Sequence, residues 1–256
     1  MNWINLKKLS KKRIIAASLS IIIALILSYL IYASEYKFPN DKDVLSAAIT
    51  EYTSNGRYSV DAYVLETKEV DGVLIAFFKD KSNADVYGFA RLLKGFNQKY
   101  RLIRANFSPS KYTSLIKAYE FETSKGVYYA IGGHNLEDNV TAYGLEFKYG
   151  DFDNSDNSQW LKFEISNSQF LDLHKKSTIQ NLLSMDFGEN DFYLNHFHVM
   201  LFDFEGQDIT EEYEKADHQN SNWSSGTGTA ELFMVNVFIG LVLILGLIMA
   251  RYFIVD

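Results

Sequence analysis

Two long stretches without a charged residue limit what this chain can fold into. One runs from Ile14 to Ala33, IIAASLSIIIALILSYLIYA, and the other from Leu232 to Ala250, LFMVNVFIGLVLILGLIMA. A helix needs about 20 apolar residues to cross a bilayer, so each stretch is long enough to be a span. A soluble domain would have to surround both on every side, which uncharged runs of this length make implausible. The flanks predict orientation. Lys7, Lys8, Lys11, Lys12 and Arg13 precede the first run with no acid among them, and Arg251 follows the second. Basic flanks stay inside, so both termini are expected in the cytoplasm and residues of about 34 to 231 outside the cell membrane. Tyr29, Tyr32 and Tyr36 near one end of the first run, and Tyr252 and Phe253 after the second, suit the headgroup region. Trp3, Ile4, Leu6 and Leu9 alternate with lysines, which fits either a helix lying on the inner surface or a solvated tail.

The first run reads as an anchor that is kept. A signal peptide has a shorter apolar core, about 7 to 15 residues, and a small-x-small cleavage site. A cut after Ala33 would place Ile31 where a small residue belongs. Within this run Ala16, Ser20, Ala24 and Ser28 recur every fourth residue, a stripe that lets another helix come close. The second run offers Asn236 and Gly240. If the spans run antiparallel from matched depths, Ser28 is expected to hydrogen-bond Asn236 and Ala24 to lie near Gly240. The alternative is that these small residues face lipid or a foreign partner.

The resulting division is a basic tail (1–13), a span (14–33), a domain (34–217), a polar tether (218–231), a second span (232–250) and a short end (251–256). With such short segments beyond the spans, any signal is expected to pass through a partner or through the spans. The net charge is −7, and the basic residues before the first span make the middle more acidic still. That argues against nucleic-acid binding, which needs a cationic surface. There is no cysteine, hence no disulfide, thiolate metal site or cysteine nucleophile.

The domain between the spans reads as mainly β, an antiparallel meander behind one short helix. Aromatic residues make up 15% of the chain, with 17 Tyr and 19 Phe, and there are 2 Pro. Such rings suit half-buried pleated surfaces. In DKDVLSAAITEYTSNG, Asp41 or Asp43 can cap a helix, with Val44, Ala48, Ile49 and Tyr52 on one face and Asn55-Gly56 at its end. Strand pairs follow around Asp71-Gly72, around Gly95 to Gln98 and around Ser124-Lys125-Gly126, then VTAYGLEFKYG and QWLKFEISN. STIQNLLSM reads as a short helix, DFYLNHFHVMLFDFEGQDIT as a central strand, and EEYEKAD as a turn of helix. Glu66-Thr67, Gly72-Val73, Ala76 and Tyr87-Gly88-Phe89 echo Glu122-Thr123, Gly126-Val127, Ala130 and Tyr143-Gly144-Leu145, through duplication or through two hairpins of similar design.

The chemistry on offer is sparse. His196 and His198 sit at i and i+2, on one face of a regular strand, as a zinc site can use. His134, His174, Asp203 or Glu205 would have to supply a third ligand. The plain alternative is a pair of hydrogen-bonded histidines on a crowded sheet. Asp151, Asp153 and Ser155 begin like a calcium loop, but Asp156 and Lys162 stand where the turn glycine and bidentate glutamate belong, so a hairpin loop is expected. No nucleophile elbow, His-Glu-x-x-His pair or phosphate loop occurs, and no catalytic residue or cofactor is assigned.

The pattern Leu92, Gly95, Phe96, Asn97, Tyr100, Arg101, Leu102 and Ile103, within the segment from Tyr63 to Phe107 and followed by Val127 to Gly133, resembles membrane-anchored proteins of low-GC Gram-positive bacteria with an extracytoplasmic β-domain. The resemblance covers under half the chain. It implies location and fold and brings no catalytic residues. The first expectation for function is therefore a binding or accessory domain that senses or docks an envelope component or membrane partner. The alternatives are an envelope enzyme, metal-dependent through His196 and His198, and a self-protection protein against a membrane-active peptide.

Overall fold

The computed structural model describes residues 11–54, 59–83, 85–109, 116–134, 136–149, 158–183, 192–213, 223–226 and 229–255. These form two compact units, one holding the terminal segments and the other spanning Phe38–Gly226.

In the terminal unit, helix α1 (Lys11–Glu35) packs along helix α5 (Thr229–Val255). Both are long and apolar enough to cross a bilayer, and both extend past the uncharged runs that predicted them. Ala17, Ala24 and Ser28 are buried on α1, and Ala250 on α5. Ala17 takes the place expected of Ala16, which is only partly covered along with Ser20. The reason is geometric: a stripe at every fourth residue drifts about 40° per step around a helix with 3.6 residues per turn. A contact face must return by threes and fours, as 17, 20, 24, 28 does. The predicted pairing with Asn236 and Gly240 is also corrected. A Cβ on Gly240 would meet nothing within 4 Å, whereas one on Gly246 would overlap the Ala24 methyl. Asn236 is exposed, and the buried Ser28 hydroxyl has no hydrogen-bond partner. The helices are therefore slid by about 9 Å relative to the matched-depth expectation, at 1.5 Å per residue. Gly246 lacks a side chain at the point where Ala24 comes in, and close backbone approach outweighs one polar contact.

The second unit opens with helix α2 (Lys42–Ser54). Asp41 caps it, its carboxylate accepting from the backbone N–H of Asp43 (3.1 Å) and of Val44 (3.0 Å). Its buried face is Leu45, Ala48, Ile49 and Thr53. Val44, expected on that face, is exposed, one position round the helix from where the sheet lies.

Strands β1 (Ala62–Val70), β2 (Val73–Asp80), β3 (Val86–Lys94) and β4 (Tyr100–Pro109) form the predicted meander, joined at its far edge by β11 (Trp223–Gly226). Asp71 (φ 50°) and Gly72 (φ 75°) make the tight turn of the first hairpin, between the paired Val70 and Val73. In the turn carrying the Leu92 to Ile103 pattern, Gly95 N–H donates to Lys99 O (2.7 Å) and Gln98 N–H to Gly95 O (3.1 Å). That pattern is a device of local backbone geometry. The strand β11 corrects the reading of 218–231 as a tether throughout, because Trp223 to Gly226 pairs with Phe107 to Arg104.

Beyond β4 the chain stops meandering. Strands β5 (Ile116–Thr123), β6 (Gly126–Gly133) and β9 (Phe170–Lys175) form a second sheet; β7 (Ala142–Tyr149), β8 (Ser158–Glu164) and β10 (Phe192–Phe202) form a third, in the order β10-β7-β8. Strand β10 is thus at an edge and β7 is central, the reverse of the expectation drawn from the apolar length of β10. The echo between Tyr87-Gly88-Phe89 and Tyr143-Gly144-Leu145 is not carried into pairing, since β3 joins β2 while β7 leaves β6 for β8 and β10. The predicted short helices are α3 (Lys176–Leu182) and α4 (Thr210–Tyr213).

The layers are α2, first sheet, second sheet and third sheet, with a core at each junction. Leu45 and Ile49 pack on Leu74, Ala76 and Phe78. The alternate residues Val73, Ile75 and Phe77 face Tyr119, Phe121, Tyr128 and Ala130. On the other side of β6, Tyr129 and Ile131 face Tyr143, Leu145 and Phe147. Central strands buried on both faces explain the unbroken apolar runs of β2 and β6. They explain Gly132 as well: a Cβ there would come within 2.7 Å of the Phe77 ring.

Candidate functional site

Strand β1 borders the first sheet, and an open edge offers unpaired backbone groups to any other strand. Here helix α2 closes it. Val64 N–H donates to Ser46 Oγ (2.9 Å), Ala62 N–H to Thr50 Oγ1 (2.9 Å) and Val60 N–H to Thr53 Oγ1 (3.3 Å). Each hydroxyl in turn donates to a helix carbonyl: Ser46 to Lys42 O (2.6 Å), Thr50 to Ser46 O (2.9 Å) and Thr53 to Ile49 O (3.0 Å). The spacing 46, 50, 53 follows the helical repeat and the spacing 64, 62, 60 follows the pleat, so one row of hydroxyls serves alternate amides. At Leu65, a bulge in the pairing with β2, the carbonyl accepts from Lys42 Nζ (2.6 Å) and Gln169 Nε2 (3.0 Å).

An open cleft of about 690 Å³ lies over this row, lined by Asp43, Ser46, Thr50, Glu51, Asp61, Tyr63 and Lys81 among others. Asp61 is paired with Lys81 (3.0 Å). The three hydroxyls are committed to the backbone, so none is poised as a nucleophile. The cleft can hold a ligand against an acidic rim; it contains no nucleophile–base pair.

Of the histidines proposed from sequence as a metal group, only His134 and His174 have described side chains, and these two do not come together. His196 and His198 lie in β10, but the ladder to β7 breaks there. Leu194 pairs with Phe147 and Val199 with Leu145, leaving Asn195 to His198 opposite Glu146 alone. The strict alternation on which the i, i+2 argument rested is therefore not maintained in the pairing. The side chains of His196 and His198 lie outside the described residues, as does the 151–157 loop. His134 and His174 are far apart. Gly133 pairs with Phe170 and Tyr129 with His174, which separates the two histidines by about 16 Å at 3.3 Å per residue. Asp203 and Glu205 are turn residues: the Asp203 carboxylate accepts from Glu205 N–H (2.9 Å) and Gln207 N–H (2.8 Å), and Glu205 from the Gln207 amide (2.9 Å). No group of three or more His, Asp and Glu that could hold a metal is formed among the described residues.

Each of these two histidines has a local role. His174 faces the hydroxyl of buried Tyr143 (3.2 Å) and packs on the Phe163 ring (4.4 Å between centroids). Burial lowers its pKa, with Lys68 adding to the shift and Asp172 opposing it. Lys68 and Asp172 are themselves paired at 3.0 Å, joining β1 to β9. His134 is buried beside the Tyr87 ring (5.9 Å), with Nε2 3.4 Å from Lys79 Nζ. Burial and then the Lys79 charge lower its pKa, outweighing the opposing effect of the nearby Gln169 amide.

Two carboxylates act as clamps. Asp71 accepts from Tyr128 Oη (2.9 Å) and Thr123 Oγ1 (3.2 Å) and pairs with Lys125 (3.1 Å), tying the turns of two sheets together. Glu69 accepts from Tyr100 Oη and from Lys94 (2.9 Å). Both carboxyls are held below their usual range, chiefly by the tyrosine hydrogen bonds, and the Tyr100 phenol is pushed up to about 12, chiefly by burial. Sequence reasoning missed the α2 hydroxyl row, the Asp71 clamp and the Glu69 clamp. Only the first had a signal, three hydroxyl residues at helical spacing beside an apolar face.

Searches against protein-family models, curated proteins and solved structures give no match.

Proposed function

We propose that this chain is a two-span membrane protein whose β-rich unit lies on the outer face of the cell membrane and works as a binding or accessory domain for an envelope component or a membrane partner. The observation that carries this reading is the pairing of two apolar terminal helices through small residues, Ala24 against Gly246, at the two ends of one β-rich unit. Helices that pack on each other with apolar side chains turned outward suit a lipid solvent, which offers no hydrophobic reason to pair and leaves packing to drive association. Lys11, Lys12 and Arg13 at the start of α1 favour the cytoplasm for that end. A binding role, rather than catalysis, is supported by the clusters above, where hydroxyls and carboxylates are spent on closing an edge and clamping turns.

The absence of cysteine makes the placement directly testable. Ser82→Cys, at an exposed position, is expected to react with a membrane-impermeant maleimide on intact cells, and Asn2→Cys to react only after lysis. Labelling of Asn2→Cys alone on intact cells would overturn the orientation. Equal labelling of both after lysis, with release of the protein into the soluble fraction, would overturn membrane insertion.

A further inference from the structure

Arg91 on β3 and Arg104 on β4 are direct cross-strand partners, so both guanidinium groups rise from the same face of the first sheet. Like charges in this arrangement repel. No carboxylate is ion-paired with either among the described residues. The next place in the row across the strands is Gly226 of β11. A register shift separates Arg91 from Leu92, and bulges of this kind re-aim the side chains next to them.

From the second sheet, the Tyr119 ring stacks on Phe89 of β3 (5.7 Å between centroids), and the charges of both arginines oppose the upward shift that burial gives its pKa. One Arg91 nitrogen, Nη2, is spent on the Glu122 carbonyl (2.6 Å), while its Nε is buried without a partner. Asn106 stands two residues along β4 from Arg104, on the same face, and its Oδ1 is also buried without a partner. Half a rotation of that amide offers N–H₂ instead. Arg104 remains exposed to solvent. Two adjacent guanidinium groups with no ion-pair partner among the described residues, one of them with a buried, unsatisfied Nε, are the complement of an anion.

We propose that Arg91 and Arg104, with Tyr119 and Asn106, form a binding site for a phosphate group, free or carried as an ester. The forked guanidinium geometry suits bidentate contact with phosphate oxygens. Donors arriving from two strands of one sheet and from a second sheet suit a tetrahedral anion better than a planar carboxylate. This inference names a ligand class for the binding domain and so rests on that reading. It does not depend on which side of a membrane the domain occupies.

The test uses the full chain in nonionic detergent, where topology plays no part, with inorganic phosphate and glycerol 3-phosphate titrated at constant ionic strength against acetate. The wild type is expected to show saturable binding by calorimetry and a matching rise in Tm with either phosphate compound and not with acetate; the tighter one identifies free phosphate or an ester as the natural source. Because Arg104 is exposed, Arg104→Gln should keep the wild-type Tm in chloride yet raise Kd at least tenfold. Arg104→Lys, which keeps the charge but loses the fork, should fall between. Absence of saturable binding to the wild type, binding of acetate as tight as phosphate, or an unchanged Kd in Arg104→Gln would each overturn the site and leave the membrane placement untouched.

Discussion

Replacing Thr50 by valine removes one hydroxyl and almost no volume, so it isolates the contribution of α2 to closing the edge of β1. Ala62 is fully buried, and its N–H donates to Thr50 Oγ1 at 2.9 Å. In Thr50→Val that donor loses its partner behind a methyl group. An unsatisfied buried donor costs about 1–3 kcal/mol. Thr50 itself is only partly buried, so water can reach the vacated position, and about 1–2 kcal/mol is expected. Valine and threonine have similar helix propensities, which contributes only a few tenths of a kcal/mol. The lost bond to Ser46 O adds little, because that carbonyl lies within the helix ladder. Urea unfolding of the full chain in nonionic detergent is the assay. With a slope of about 2 kcal/mol per molar, the midpoint should fall by about 0.5–1 M. Thr50→Ser keeps the hydroxyl and should stay within about 0.5 kcal/mol of wild type. Hydrogen exchange gives the residue-level readout: protection of the Ala62 amide should drop in Thr50→Val and persist in Thr50→Ser. Equal stability and equal Ala62 protection in both variants would refute the idea that the hydroxyl row seals this edge.

Two further outcomes follow from the packing and the histidines. With cysteines at Ala24 and Gly246, mild oxidation should join α1 to α5 after the helices part to the usual Cβ separation of about 3.8 Å; the pair at Ala24 and Gly240 should stay reduced, and the opposite pattern would restore the matched-depth register. Acid should weaken the β-rich unit before its carboxylates titrate, because His134 and His174 have lowered pKa values when folded. Between the folded and unfolded values the unfolded chain binds more protons, so stability falls as pH drops below about 7, by at most about 1.4 kcal/mol per pH unit for each group. The slope between pH 7 and 5 should shrink in His174→Gln, and an unchanged slope in both His174→Gln and His134→Gln would remove these histidines from the account.

The sequence by itself determined the parts whose physics is local or one-dimensional. Uncharged runs of about 20 apolar residues mark two terminal helices long and apolar enough to cross a bilayer. Asp71-Gly72 marks a tight turn because it needs two residues at positive φ. The capping aspartate at α2 and the turn-bounded runs that became β1 to β4 belong to the same class. Tertiary structure decided whatever depends on which surface meets which. Val44 and Leu45 are adjacent apolar residues, and only the direction of the sheet shows that Leu45 is the one buried. Strand β10 is as apolar as a central strand, yet β7 lies between it and β8, because pairing depends on register between segments distant in the chain. Ala24 found Gly246 rather than Gly240 because close approach of two backbones is a property of both helices together. Arg91 and Arg104 are unremarkable apart; the β3–β4 register places them side by side, and a strand from 119 residues later along the chain pairs its Gly226 with Arg104.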